Sequence, residues 1–309
     1  MTLDCIGIGL LTVDHLLTME QYPASNSKNV VKSYAMHGGG PVPTALTVLG
    51  NFGKKCIVQS RVGADAMADF LAEELSDYNV SDKGLIRDDS VLTPESFIII
   101  DERNGDRTIM LNQNGNARIF PQDVNEKWIK KAGILHLDGR DQKTAIAAAQ
   151  IARQHNTLVS IDIGSNRPVS DELLKLTDIA IVSEDFTNAK FEKKSLKSAQ
   201  ELLNYGMQIA AVTCGEDGSY WASSQECFHQ PAFPVNVVDT TGAGDVFHGA
   251  ALLGILEKYT LKETAAFASA VSAFVCCHVG GKAGMPNRDQ VDAFLQNKNI
   301  DTNFLIRRT

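Results

Sequence analysis

The chain has 309 residues, of which 44% are hydrophobic and 21% charged, which excludes a disordered protein and leaves ample material for a core. Its 29 Lys and Arg against 37 Asp and Glu give a net charge of −8, which excludes a broad basic surface of the kind that tracks a nucleic-acid backbone. Any anion it handles must be small and held by a few local groups.

In chain order, the apolar run from Cys5 to Val13 reads as a buried strand, with Cys5–Leu10 as its core. With Lys28 as the first basic residue, this run is expected to be a strand and not a signal peptide. The segment 14–36 is polar and partly extended. Helical periodicity then predicts Thr44–Phe52, followed by a strand over Lys55–Ser60 and an amphipathic helix over Ala66–Asp77. Ser96–Asp101 and Arg107–Leu111 flank the turn residues 102–106 and predict a hairpin. Strands at Gly133–Leu137, Thr157–Ile163, Ile179–Val182 and Gln208–Thr213 alternate with helices at Gln142–Gln154 and Leu196–Tyr205. Phe233–Val238 is extended, and the remainder is mainly helical: Gly242–Lys258, Leu261–His278 and Asp289–Gln296.

Strand–helix alternation implies an α/β fold with a mostly parallel central sheet between two helical layers. About 150 residues per domain allows two domains, but α/β folds often use this length as one. The expectation is a single domain, 1–309, with a small β-sheet lid formed by about 12–37 and 94–117 over the ligand-binding edge of the sheet. The six cysteines form no CxxC pair and read as reduced thiols, and no 18-residue apolar stretch is present. A cytoplasmic protein without membrane or nucleic-acid partners is expected.

The most informative stretch is Asp239-Thr-Thr-Gly-Ala-Gly-Asp245. Gly242, Ala243 and Gly244 open a helix with bare backbone, so their N–H groups form a site for phosphate at the positive end of the helix dipole. Asp245 follows in the first turn. An anion hole beside a carboxylate suits phosphoryl transfer to an alcohol, with the carboxylate taking the hydroxyl proton. The plain alternative is a helix capped by Asp245 after a glycine turn. His37-Gly-Gly-Gly-Pro-Val-Pro43 opens a second helix, Asp14 closes the first strand, and Thr213-Cys-Gly-Glu-Asp-Gly218 makes a turn suited to a nucleotide. Gly7 and Gly9 lack the third glycine of a dinucleotide fingerprint and belong to a buried strand. Cys276-Cys-His278 reads as core, and His229 and His248 read as structural residues.

These residues resemble the ribokinase-like (PfkB) carbohydrate kinase family, over residues 3 to 296. Val238–Phe247 is similar to its C-terminal motif; Gly38–Gly53 and Arg61–Asp65 are similar to its N-terminal one. The resemblance implies ATP and Mg²⁺ as phosphoryl source, a sugar alcohol as acceptor, Asp245 as base and Gly242, Ala243 and Gly244 as anion hole. It further implies sugar contacts from Asp14, Gly39 and Gly40, nucleotide contacts from Thr213, Gly215, Gly218, Thr241 and Gly244, and a K⁺ site at Asp239 and Thr241. The chain departs from the family at Pro43, where an Asn is usual, and at Ser183-Glu-Asp-Phe186, where Glu184 or Asp185 would organise Mg²⁺. Gly38–Pro41, His229–Phe233, Asp245–Ala250 and Gly280–Pro286 resemble the sulfofructose kinase branch of the family, and Asp138-Gly-Arg140 is similar to ketohexokinases. That implies an anionic ketose such as 6-deoxy-6-sulfofructose, which needs a local cation despite the net charge, with Lys28, Asn112 and Arg140 as the candidates. Pairing two lids would cover their exposed strand edges, and with the family likeness this suggests a homodimer. The rivals are fructokinase, 2-dehydro-3-deoxygluconokinase, ribokinase, adenosine kinase, and a catalytically silent fold-mate that only binds sugar or nucleotide.

Overall fold

The computed structural model describes residues 2–103, 105–112, 117–165, 167–191, 196–278, 280, 282 and 284–306. The chain runs β1 (Leu3–Ile8), β2 (Thr12–Met19), β3 (Ser33–Gly39), α1 (Pro41–Asn51), β4 (Cys56–Gly63), α2 (Ala66–Asp77), β5 (Val80–Asp88), β6 (Glu95–Asp101) and β7 (Arg107–Asn112). It continues through α3 (Glu126–Ile129), β8 (Ala132–Leu137), α4 (Gln142–Gln154), β9 (Leu158–Ile163), α5 (Asp171–Lys175), β10 (Ile179–Ser183), α6 (Glu184–Phe191) and α7 (Leu196–Leu203). It ends with β11 (Ile209–Thr213), β12 (Ser219–Ser223), β13 (Cys227–Gln230), α8 (Ala243–Leu256), α9 (Leu261–Cys276) and α10 (Arg288–Asn297).

Nine strands form one sheet in the order β13-β12-β11-β10-β9-β8-β1-β4-β5, parallel from β11 through β5. The antiparallel edge β12–β13 adds to it beyond β11. The inner strands are apolar on both faces because helices cover both faces. One core gathers around α1, α2, α8 and α9, and the other around α4, α5 and α7. Two glycines set how closely these layers approach. A Cβ on Gly7 would stand 2.4 Å from Val42, and one on Gly249 would stand 2.4 Å from the Ala45 carbonyl oxygen. Bare backbone at these points seats α1 on β1 and α8 across α1. Side-chain caps define where other helices start: Asp65 accepts from the Ala68 N–H, Asp141 from Thr144, and Thr260 with Glu263 forms a capping box.

A separate four-stranded sheet, β3-β2-β6-β7, supplies the expected lid strands. Its row Asp14, Ser96, Leu111 and its neighbour Leu16, Ile98, Ile109 face a cavity, while Tyr34, Phe97 and Met110 are exposed. Residues 113–116 of the expected lid and Asn104 of the hairpin turn lie outside the described residues.

Three sequence expectations need correction. The run Cys5–Val13 is two strands, because β1 ends at Ile8 and Asp138 takes over the backbone beyond it: Leu10 N–H donates to Asp138 Oδ2 at 2.8 Å. Asp14 consequently sits inside β2 rather than closing the first strand. The strands β5, β12 and β13 and the helix α6 were not expected, and Phe233–Val238, although extended, joins no strand. No helix among the described residues is long and apolar enough to cross a membrane.

Candidate active site

A cavity of about 340 Å³ lies between the small sheet and the C-terminal edge of the large one. Asp14 reaches it from β2, and burial raises its carboxyl to about 6, against the lowering effects of a Ser96 hydrogen bond and nearby Lys282. Gly39 pairs with Thr12 in the β2–β3 ladder and lies diagonal to Asp14, so that a Cβ on it would stand 1.9 Å from Asp14 Oδ2. Gly40 has φ +104° and caps α1 without a side chain, so this helix also opens toward the cavity. Pro41 and Pro43 fall within the first turn of α1, where a missing N–H removes no helical hydrogen bond. Glu74 of α2 ties this corner together: it accepts from the Gly38 N–H and pairs with the buried Lys282 ammonium at 2.9 Å.

The second wall is the start of α8. Asp239, 1% exposed, accepts from the Thr241 N–H and Oγ1 at 2.8 and 2.7 Å and from the Gly280 N–H at 2.9 Å. That clasp sets the approach to Gly242, whose φ of +70° turns the chain into α8 with no side-chain cap. The amides of Gly244 and Asp245 fall in the first turn and have no partner within the helix. A Cβ on Gly244 would meet nothing within 4 Å, so the surface above these amides is open. Asp245 lines the cavity, and burial first, then the charges of Asp162 and Asp14, push its carboxyl well above the usual carboxylate range.

A second cavity, about 910 Å³, runs from the end of β11 along α8 and α9 and is walled by Gly215, Gly218, Phe233, Phe247 and Ser272. Gly215 and Gly218 have φ of +54° and +90°, and a Cβ on Gly218 would stand 2.2 Å from the Gln230 carbonyl oxygen. The turn is therefore held flush against β13. The two cavities meet at Arg107, Thr213 and Gly244, which line both. Arg107 reaches that junction from β7 and donates to Thr240 Oγ1.

Of the residues singled out from the sequence, Asp14, Gly40, Thr213, Thr241, Gly242, Gly244 and Asp245 surround the first cavity, with Gly39 against Asp14. Gly215, Gly218 and Ala243 line the second. Arg140 lines the first cavity with its Nε 3.8 Å from Asp138 Oδ2. Lys28 is exposed on the β2–β3 connection and Asn112 ends β7 opposite Glu95; neither lines the cavity. Glu184 and Asp185 begin α6, where Ser183 reaches the cavity and they do not. Both oxygens of Asp239 accept N–H or O–H groups, and Thr241 Oγ1 donates to it. Gly281 and Ala283 of the segment 280–286 lie outside the described residues.

Arg107, Asp162, Arg167, His248 and Lys282, to which the sequence assigns no site role, all line the first cavity. His248, read as structural, places Nε2 3.5 Å from Asp162 Oδ2. For Asp162 a signal existed, since it is a polar residue near the carboxyl end of a buried parallel strand, where open α/β sheets bind ligands.

The pfkB family carbohydrate kinase model matches residues 3–288. The chain is 25% identical over 308 residues to a ribokinase of Staphylococcus aureus, covering 94% of this chain and 99% of the relative. It is 23% identical over 281 residues to a mouse ketohexokinase, covering 87% and 94%. A crystal structure of an Escherichia coli putative ribokinase II in complex with ATP and Mg²⁺ superposes with a TM-score of 0.83 at 21% identity, covering 96% of this chain and 99% of that one.

Proposed function

The chain belongs to the pfkB family of carbohydrate kinases, and we propose that it transfers the γ-phosphoryl group of MgATP to a hydroxyl of an anionic ketose, with 6-deoxy-6-sulfofructose as the leading acceptor. One observation carries the reading: two cavities of unlike lining meet at Gly244, and Asp245 faces the smaller one. The nucleotide occupies the larger cavity over Gly215 and Gly218, with its γ-phosphate at the junction. There the Gly244 and Asp245 amides and the Arg107 guanidinium neutralise charge on the transferring group. Mg²⁺ arrives with the nucleotide and supplies charge neutralisation on its phosphates. The acceptor lies under the lid against Asp14, and its hydroxyl gives its proton to Asp245. A lid that closes over this cavity excludes water and protects ATP from hydrolysis.

An anionic acceptor is favoured by the cations around the smaller cavity. Arg107, Arg140, Arg167 and Lys282 line it although the chain as a whole is acidic. Of these, Arg140 has the weakest internal partner, at 3.8 Å with 42% of its side chain exposed, so its fork is available to a sulfonate or phosphate. Arg140→Ala is expected to raise KM for sulfofructose about 10-fold or more, the cost of one charge-assisted hydrogen-bond pair, and to change KM for fructose little. Equal effects on both sugars would remove the anionic-acceptor reading and leave fructokinase or a ribokinase-like specificity. A panel of sulfofructose, fructose, ribose, adenosine and 2-dehydro-3-deoxygluconate, read by ADP release, separates these rivals. A panel without turnover would point to a binding-only fold-mate.

The whole chain acts as one domain in this reading, with the lid segments inserted between β1 and α1 and between β5 and α3. The lid leaves β3 and β7 as unpaired edges and Tyr34, Phe97 and Met110 exposed, a surface suited to pairing with a second lid. Light scattering at micromolar concentration is expected to give a homodimer; a monomer would defeat the pairing.

A further inference from the structure

Next to Asp245, three side chains from different elements converge with polar atoms that no group among the described residues satisfies. His136 comes from β8, Asp162 from β9 and His248 from α8, one turn beyond Asp245 on the same helix. One nitrogen or oxygen of each lies within 4.8 Å of the others, and the two imidazole centroids are 5.9 Å apart. All three residues are at most 3% exposed. Among the described residues His136 Nε2, Asp162 Oδ2 and His248 Nδ1 have no hydrogen-bond partner, while His136 Nδ1 is held by Ser160 Oγ at 3.2 Å. Asp162, His248 and Asp245 all line the acceptor cavity.

Burial holds both imidazoles at about 3, so they are neutral at working pH and offer Asp162 no positive charge. The cations that face this group are Arg140 and Arg167. Arg167, however, spends Nη2 on the carbonyl oxygens of Asp138 and Asp162 rather than on a carboxylate. Asp138 opposes ionisation of Asp162, Asp14 opposes that of Asp245, and Arg107 and Arg140 favour it; Lys282 and Glu74 act on Asp14. Burial, with these charges, puts Asp162 at about 7. Two arginines around the same pocket disfavour a divalent cation as its occupant.

We propose that Asp162 is a positioning residue for phosphoryl transfer, a second buried carboxylate set between two neutral imidazoles whose negative charge keeps Asp245 basic enough to accept the acceptor's proton. The inference rests on the assignment of Asp245 as the base. In the step it serves, the acceptor O–H bond breaks and its proton passes to Asp245. The acceptor oxygen bonds to the γ-phosphorus, and the bond to the β,γ-bridging oxygen breaks with its electron pair leaving on ADP. His136 and His248 act by remaining uncharged, since an imidazolium there would cancel the charge of Asp162.

The experiment is the pH profile of kcat/KM between pH 5 and 9 with MgATP and sulfofructose or fructose. Removing the Asp162 charge makes Asp245 easier to ionise. The acid limb of Asp162→Asn is therefore expected to move to lower pH by about one pH unit or more, with a lower plateau and an unchanged KM for ATP. Asp162→Glu is expected to return the limb toward its original position. An acid limb that stays in place while kcat falls would overturn the proposal and leave Asp162 as packing. One tightly bound divalent ion per chain, lost in Asp162→Asn, would also overturn it, because the ion would neutralise the charge. If Asp162→Asn does not fold, carboxyl ¹³C NMR on the unsubstituted enzyme decides: two buried carboxyls titrating in coupled steps above pH 6 are expected, and ordinary independent titrations would refute it. Should Asp245→Asn keep its turnover, the base assignment itself fails; an inert Asp245→Asn with an unmoved Asp162→Asn limb removes only the inference.

Discussion

Replacing Asp245 by Asn is expected to lower kcat/KM by about 10²–10⁴-fold, the contribution of a positioned general base, while ATP affinity stays near that of the unsubstituted protein. Asn is nearly isosteric with Asp and leaves the backbone untouched, so the open start of α8, with Gly242 at φ +70° and clear space over Gly244, remains for the nucleotide's phosphates. What the amide lacks is a site for the hydroxyl proton. Burial and two neighbouring carboxylates raise the Asp245 carboxyl, so in the free enzyme activity falls with decreasing pH through that raised value. Arg107 and Arg140 work in the opposite direction and favour the ionised form. ADP release measured alongside calorimetric ATP binding checks the prediction; near-normal turnover would refute the mechanism.

The second large effect is expected at Gly39, a residue with no side chain to contribute. Gly39→Ala would place a methyl group 1.9 Å from Asp14 Oδ2, inside the carboxylate itself. The ladder between β2 and β3 holds both backbones, so the Asp14 side chain has to turn away. If Asp14 grips the acceptor's hydroxyls, losing one hydrogen bond to a charged group costs about 1.5–3 kcal/mol, or roughly 10- to 150-fold in KM for the sugar. ATP affinity should hardly move, because the larger cavity shares none of these atoms. Steady-state kinetics with each substrate varied in turn decides the matter. An unchanged sugar KM would show that Asp14 does not hold the acceptor.

The parts of the molecule legible in the chain are those with local causes. The start of α8 is one: a left-handed glycine, a bare first turn and a carboxylate three residues on are written within seven residues, and α2 and α4 run as periodicity predicted. The edge strands were invisible for the opposite reason. β5 and β13 each gain order from a single neighbour, β5 with a bulge opposite Ile57–Gln59, and their own residues alternate weakly. Asp14 was recognised as a carboxylate for sugar yet assigned to the wrong strand, since the break after Ile8 depends on Asp138, a residue from β8's far end. Lys28 and Asn112, singled out as candidates for an anionic acceptor, were not brought to the cavity, while Arg107 and Lys282, to which the sequence assigns no role, were.

By itself the sequence determined the alternation that makes a parallel sheet, the phosphate-suited loop 239–245, and membership of the pfkB family across residues 3–288. Only the tertiary structure decided which charges share the acceptor cavity: Asp14 from the lid, Asp162 from β9, Asp245 and His248 from α8, Arg107 from β7 and Lys282 from near the C-terminus. The physical reason is range. Capping, glycine conformation and hydrophobic period act over a few neighbouring residues, whereas desolvation and Coulomb interaction depend on distance in space, and the fold sets that distance for residues far apart in the chain.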